Sequence, residues 1–255
     1  PPYMSPQFRK RDSMFEQTLK GASFEVTKAF TVGNSDHSLT YGVERFETES
    51  ESTRDGGTGD SSGTPLFEFS PLPTRDFPTT NVETTAIFIQ SEIAMLSDRF
   101  LLMPGLRYDD VEATTAPDML YFAGNPGVGE PTDFADSATS LKLGALYRLD
   151  NNSAIFANYS EGFRAPPYDD VNLGFSNVMG GYKTVSAPNL TSETSEGIEI
   201  GLRTRSEIWS ASIAVFQTDF DDFIAAAGED DITPPAHAEA LFLTAAEAAE
   251  RVRAG

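Results

Sequence analysis

The chain has no cysteine in its 255 residues. Disulfides, thiolate nucleophiles and cysteine-based zinc sites are therefore excluded. Histidine is nearly as scarce: His37 sits in a turn-like GNSDHS stretch and His237 lies near the C-terminus. Neither has neighbours that would complete a catalytic triad or a zinc site. Cations are few, with 18 Lys and Arg against 39 Asp and Glu, a net charge of −21. That balance opposes binding to nucleic-acid phosphates and adhesion to an anionic bilayer surface. It reads instead as acidic, solvated loops. No apolar run is long enough for a membrane helix. The opening PPYMSPQFRKRD has no apolar core of a signal peptide, so any export signal is expected upstream.

What is present is alternation. Hydrophobic residues make up 39% of the chain, too many for simple disorder. In Met14 to Val32, Phe24, Val26, Phe30 and Val32 share one face, interrupted by Lys28. Leu39, Tyr41 and Val43 alternate after the GNSDHS turn, which predicts a hairpin. Ile87, Ile89, Ile93 and Met95 line one side of the next strand, and Phe100, Leu102, Leu106 and Tyr108 line its return. Pro104 lies inside that return and predicts a bulge or a lost ladder bond. Leu141, Leu143, Ala145, Tyr147 and Leu149 form another face, followed by Ile155, Ala157, Tyr159 and Phe163. A last pair runs through Ile198, Ile200 and Leu202 into IWSASIAVFQTDFDDF.

About eight long strands result, paired by tight turns near residues 34, 97, 151 and 206. Long polar stretches join them at the other end: 47–82, 114–137 and 164–193. The first is rich in Pro, Gly, Ser and Thr, which argues against regular structure. Tyr108, Tyr147, Tyr159, Phe163, Trp209, Phe220 and Phe223 are expected near strand ends. Long alternating strands, lopsided loops and terminal aromatics describe an all-β, antiparallel, up-and-down transmembrane β-barrel, incomplete at eight strands. A soluble β-sandwich alternates in the same way and remains the alternative.

The stretch from Tyr159 to Ser195 is the most distinctive, a strand that breaks at Pro166-Pro167 into a long loop. Loops of this length are commonly functional. Its phrases FRAPPYDDVNLGF and APNLTSETSEGIEIGLR resemble the TonB-dependent receptors of the outer membrane. The resemblance is strongest to their haem/haemoglobin and transferrin/lactoferrin receptor group. One box is Phe163, Arg164, Ala165 and Pro166. The other is Ala187, Pro188, Asn189 and Leu190, with Ala187 where an Asn is usual. The resemblance covers about residues 14 to 225.

The resemblance implies no enzyme. It implies uptake of haem, or of iron from a haem- or iron-carrying protein, across a Gram-negative outer membrane. Outer-membrane lipid would surround the barrel, and an inner-membrane TonB complex would supply energy through a plug domain. Ligand contact would fall on Phe163, Arg164, Ala165, Pro166, Tyr168, Met179, Tyr182, Pro188, Asn189 and Leu190. Haem or a ferric complex would be cargo, not a prosthetic group. Residues 167–186 hold no histidine, which leaves Tyr168, Met179 and Tyr182 as the side chains there able to ligate iron. Each serves loop packing equally well. Arg164 suits either an acidic ligand or a pin between strand and loop.

Other chemistry is weaker. GNPGVG at 124–129 does not lie between a strand and a helix, so a phosphate cradle is not expected. Asp169-Asp170, Asp219 with Asp221-Asp222, and Glu229-Asp230-Asp231 lack calcium-loop spacing and read as solvated acids. No metal site is expected. Residues 226–255 turn Ala-rich and helical, with Thr244 and Glu247 spaced as a capping box. Family barrels have about 22 strands. Residues 1–225 therefore read as an internal piece of a receptor barrel with an atypical tail, or as a truncated non-transporting remnant. A siderophore receptor barrel is the further alternative.

Overall fold

The computed structural model describes residues 7–67, 71–126, 129–174, 176–177, 182–183 and 187–224. The strands are β1 (Gln7–Val32), β2 (Ser35–Asp60), β3 (Thr79–Met95), β4 (Phe100–Ala116), β5 (Phe134–Arg148), β6 (Ser153–Arg164), β7 (Ser176–Asn177), β8 (Tyr182–Lys183), β9 (Glu193–Arg205) and β10 (Ser210–Asp221). Two short helices, α1 (Met119–Gly124) and α2 (Tyr168–Asn172), lie in the long connections. Eight strands form one antiparallel sheet in the order β1-β2-β3-β4-β5-β6-β9-β10. β7 and β8 pair separately. The sheet is an incomplete, all-β up-and-down wall, as the alternation implied.

Two complete rows across the sheet show its logic. Phe30, His37, Ile93, Leu102, Ala145, Ala157, Ile200 and Val215 are paired in register from β1 to β10. Thr27, Thr40, Gln90, Gly105, Lys142, Ser160, Gly197 and Thr218 form a row on the opposite face. The first is apolar except for His37, whose ring stacks on Phe30 at 5.0 Å. The second is polar or glycine throughout. Period-two side-chain alternation makes this separation inevitable once register is fixed. The apolar row is not covered: Ile200 is 55% and Val215 69% exposed.

The polar side carries a second device. Phe46 lies over Gly21, Phe88 over Gly42 and Phe156 over Gly201, each a directly paired residue on the next strand. Flat rings over glycines pack the wall without filling the space beyond it.

Some of these expectations are corrected. The stretch 47–82 is not all loop, because β2 runs on to Asp60 and β3 starts at Thr79. Polar residues occupy both faces of β2 there, so the strand carries no hydrophobic period to betray it. Likewise 114–137 contains the end of β4, α1 and the start of β5. Pro104 costs the ladder its rungs, as expected, but without a bulge: Gln90↔Gly105 and Ile93↔Leu102 keep one register, with only the rungs between them missing. Tyr108 and Tyr159 also lie well inside their strands rather than at the ends. The tail helix, with Thr244 and Glu247, falls outside the described residues.

At one end the reversals are short. Gly33 adopts φ +60 between β1 and β2, a conformation glycine takes without cost. Between β3 and β4, Leu96, Ser97 and Asp98 are all left-handed, at φ 55, 54 and 65. That turn is held from β5, where Arg148 N donates to Arg99 O at 2.8 Å and its guanidinium donates to Asp98 O.

Candidate functional site

The buried residues gather at the opposite end, where three long connections fold against the polar side of the wall. Tyr121 is fully buried, with Val171, Asn125, Asn172, Thr74 and Phe77 nearly so. Sequence dictates much of this locally. Asp118 precedes a short apolar run and caps α1, its Oδ1 accepting from Tyr121 N at 2.9 Å. Gly124 ends that helix against Thr74, and a Cβ there would lie 1.4 Å from Thr74 Oγ1. No other residue fits.

Hydrogen bonds then tie the connections into one cap. Asn125 Nδ2 donates to Arg75 O at 2.7 Å and to Tyr121 O at 2.8 Å. Asn172 exchanges bonds with Thr132, accepting from its N at 2.8 Å and donating to its O at 2.9 Å. Tyr121 Oη donates to Asn172 O at 3.3 Å. Arg75 is the hub: Nε donates to Asp118 at 2.8 Å, and Nη1 donates to Glu51 at 2.8 Å and to Ser52 O at 3.0 Å. Burial works against the Asp118 charge, yet Arg75 and the Tyr121 amide together hold its carboxyl below the ordinary value of 3.8.

The two boxes meet beside this cap. Phe163 and Arg164 close β6, and Pro166 is buried where the chain leaves the sheet. Arg164 pairs with Glu193 in register, their charged atoms 3.6 Å apart. That ion pair joins the ends of β6 and β9, two strands already paired in register. Ala187 N donates to Asp170 O at 3.3 Å, joining the second box to α2, and Leu190 N closes a turn onto Ala187 O at 3.1 Å. Pro188 and Asn189 stand exposed at that turn.

Tyr168 stacks edge-on to Phe77 at 5.3 Å, and Phe77 meets Phe15 of β1 at 6.5 Å. Burial raises the Tyr168 phenol above its ordinary value, and a hydrogen bond with Ser50 works against that rise. The ring is half-buried against the cap. Burial, with Asp169 alongside, also raises the Asp170 carboxyl, and Arg164 opposes it. Met179 lies outside the described residues. Tyr182 is placed only by its backbone in β8.

The residues that knit the cap, Arg75, Asp118, Tyr121, Asn125 and Asn172, were not singled out from sequence. Asp118 carried a signal, an N-cap residue before an apolar run. The GNPGVG stretch carried another. Its first two residues serve loop locking rather than phosphate.

A wall greasy on one face and wet on the other, with its long loops at one end knit together, defines one side of a receptor barrel. The family model described as TonB dependent receptor-like, beta-barrel, matches residues 3–253, and the chain belongs to that family.

Among its relatives are the hemoglobin-haptoglobin utilization protein B of Neisseria meningitidis serogroup C and the hemin receptor of Yersinia enterocolitica. The first is 30% identical over 132 residues, 50% of this chain and 16% of that protein. The second is 28% identical over 198 residues, 74% of this chain and 24% of that protein. The chain thus spans a quarter or less of the length of these relatives. Its fold is similar to the Serratia marcescens hemophore receptor HasR, solved with its hemophore HasA and heme. The TM-score is 0.65 at 16% identity, over 83% of this chain and 34% of that one. The unliganded ferric citrate transporter FecA follows at 0.63 and 17%, over 91% and 31%.

Proposed function

We propose that the chain forms part of the wall of an outer-membrane receptor that takes up haem, or iron from a haem- or iron-carrying protein. The paired rows carry this reading. The row from Phe30 to Val215 faces hydrocarbon, and the row from Thr27 to Thr218 faces a wet lumen. The long-loop end, with 61–78, 117–133 and 165–192, faces the outside, and the turns near Gly33, Ser97, Asn151 and Glu207 face the periplasm. The loops capture cargo, and a TonB complex acting through a plug domain drives its passage inward. The haem assignment draws on the named relatives in Neisseria and Yersinia.

Transport requires a closed wall, because open strand edges are costly in lipid. The reading therefore concerns the receptor to which this wall belongs. A specific observation favours a second cargo class. The loop between the boxes has no histidine, and Tyr168 is packed against Phe77. A ferric complex held without a protein ligand from this loop suits those facts, as in a siderophore receptor.

The test is growth of an iron-starved, receptor-deficient Gram-negative strain carrying this receptor. Haem or haemoglobin as the sole iron source is expected to restore growth. Rescue by ferric siderophores alone would assign the second class, and rescue by none would leave a non-transporting remnant. Cysteines placed at Asn189 and at Asn151 settle orientation. Impermeant reagent applied to whole cells is expected to label position 189 and spare 151, and the reverse result sinks the assignment of sides.

A further inference from the structure

Several cations of this acidic chain are matched to acids. Arg45 pairs with Glu83, Arg54 with Asp76, Arg75 with Glu51 and Asp118, and Arg107 with Glu44 and Asp109. At the tight-turn end three arginines gather instead. Arg148, Ala154, Arg203 and Ser212 form one row across β5, β6, β9 and β10 on the polar side. Arg205 lies two residues from Arg203 on the same face, opposite Ser210. Two strand spacings, about 10 Å, separate Arg148 from Arg203, and the intervening side chain is only a methyl. A cleft of about 520 Å³ lies among these residues.

None of the three arginines forms an ion pair among the described residues. The one carboxylate lining the cleft, Asp150, is committed to its own turn, accepting from Asn152 N at 2.7 Å and Ser153 N at 2.8 Å. Arg203 is held in place with its guanidinium 4.8 Å from the centre of the Phe156 ring. The cleft therefore gathers three guanidinium groups, Arg203 held over Phe156 and Arg148 anchored through Nη1 on Asp98 O, beside the hydroxyls of Ser210 and Ser212. Guanidinium forks match the two oxygens of a carboxylate or phosphate.

We infer that Arg148, Arg203 and Arg205 form an oxyanion-binding site at the periplasmic mouth, which takes the carboxylates of the cargo as it leaves. The inference rests on the transport reading above. Phosphate of a lipid headgroup has the same chemistry, and the experiment separates the two sources.

Isothermal titration calorimetry reads binding at the cleft. The full chain in a phosphate-free, non-ionic detergent is titrated with citrate, inorganic phosphate and chloride at matched ionic strength. Citrate is expected to give a saturable change that chloride does not reproduce. The double variant Arg203→Gln, Arg205→Gln is expected to weaken citrate by about tenfold or more, and Arg203→Lys by less. Should the double variant lose its β circular dichroism, Arg203→Lys and Arg148→Gln carry the comparison. An equal response to chloride, or citrate affinity unchanged in the variants, overturns the site. Phosphate binding tighter than citrate overturns the cargo assignment in favour of headgroups. Citrate binding in a receptor that supports no iron uptake would sink the transport reading and leave the site standing.

Discussion

The two ends of this sheet are built by different physics. At the tight-turn end the chain reverses in a few residues, held by backbone hydrogen bonds, Arg148 and the Asp150 carboxylate. At the other end the connections are long, and they carry Tyr121, Val171 and Pro78, three of the five largest fully buried side chains among the described residues. Between the ends the wall has no interior of its own. Its apolar row is exposed, and its order comes from register. The difference teaches that the sheet depends on what surrounds it, whereas the cap holds itself together through packing and hydrogen bonds.

The sharpest way to break that comparison is to place one charge on each face. Ile200→Arg puts a guanidinium in the apolar row, where the cost at the bilayer midplane is about 2–4 kcal/mol. Thr218→Arg puts the same group in the polar row and is expected to cost less than about 0.5 kcal/mol. Reversible unfolding from lipid vesicles measures both. Equal losses would mean that the two faces see the same solvent.

A smaller effect, confined to the cap, comes from its tightest contacts. Gly124→Ala drives a methyl into Thr74 and is expected to cost about 1–3 kcal/mol, as overpacking does. Thr74→Gly in the same chain removes the obstructing atoms, so the pair is expected to recover part of the loss. Asn172→Ala strands the Thr132 amide and carbonyl and costs about 1–3 kcal/mol as well. Hydrogen exchange resolves where the damage falls. Faster exchange is expected at α1, α2 and Thr132, with the amides of β3 to β6 unchanged. Uniform acceleration across the sheet would show that cap and wall unfold as one.

The same division explains what could be read in advance. The wall was legible wherever one face is greasy, because Ile87 and Ile89 or Ile198 and Ile200 announce a period of two. It became illegible in β2 beyond Glu47 and at the start of β5, where both faces are wet and the pattern vanishes while the ladder continues. The boxes were visible as wording. The cap was not visible. Its logic joins Thr74 to Gly124 and Thr132 to Asn172, partners far apart in sequence whose meeting only the register brings about. Tyr168 shows the limit most clearly. Its chemistry permits iron ligation, and its packing against Phe77 was decided by a loop a hundred residues earlier.

The mildest probe is acid, and its sign separates two carboxyls in the cap. Asp118 is held below its ordinary value in the folded chain, so its contribution is fully present above that value and disappears as pH falls through the lower, folded one. Its side chain is 40% exposed, so solvent screening keeps the effect small. Asp170 runs the other way: its raised value makes its charge unfavourable at neutral pH, and protonation on acidification relieves the cap. Asp118→Asn is therefore expected to loosen α1 at neutral pH and to blunt the loss of protection in acid. Asp170→Asn is expected to tighten α2 at neutral pH and to leave the acid limb steeper than in the unaltered chain. Exchange rates at Tyr121 and Val171 followed from pH 6 down through the carboxylate range read the two responses separately, after correction for the intrinsic pH dependence of exchange. Parallel shifts in both variants would show that acid acts on the wall, through its many exposed carboxylates, and not on the contact between Arg75 and α1.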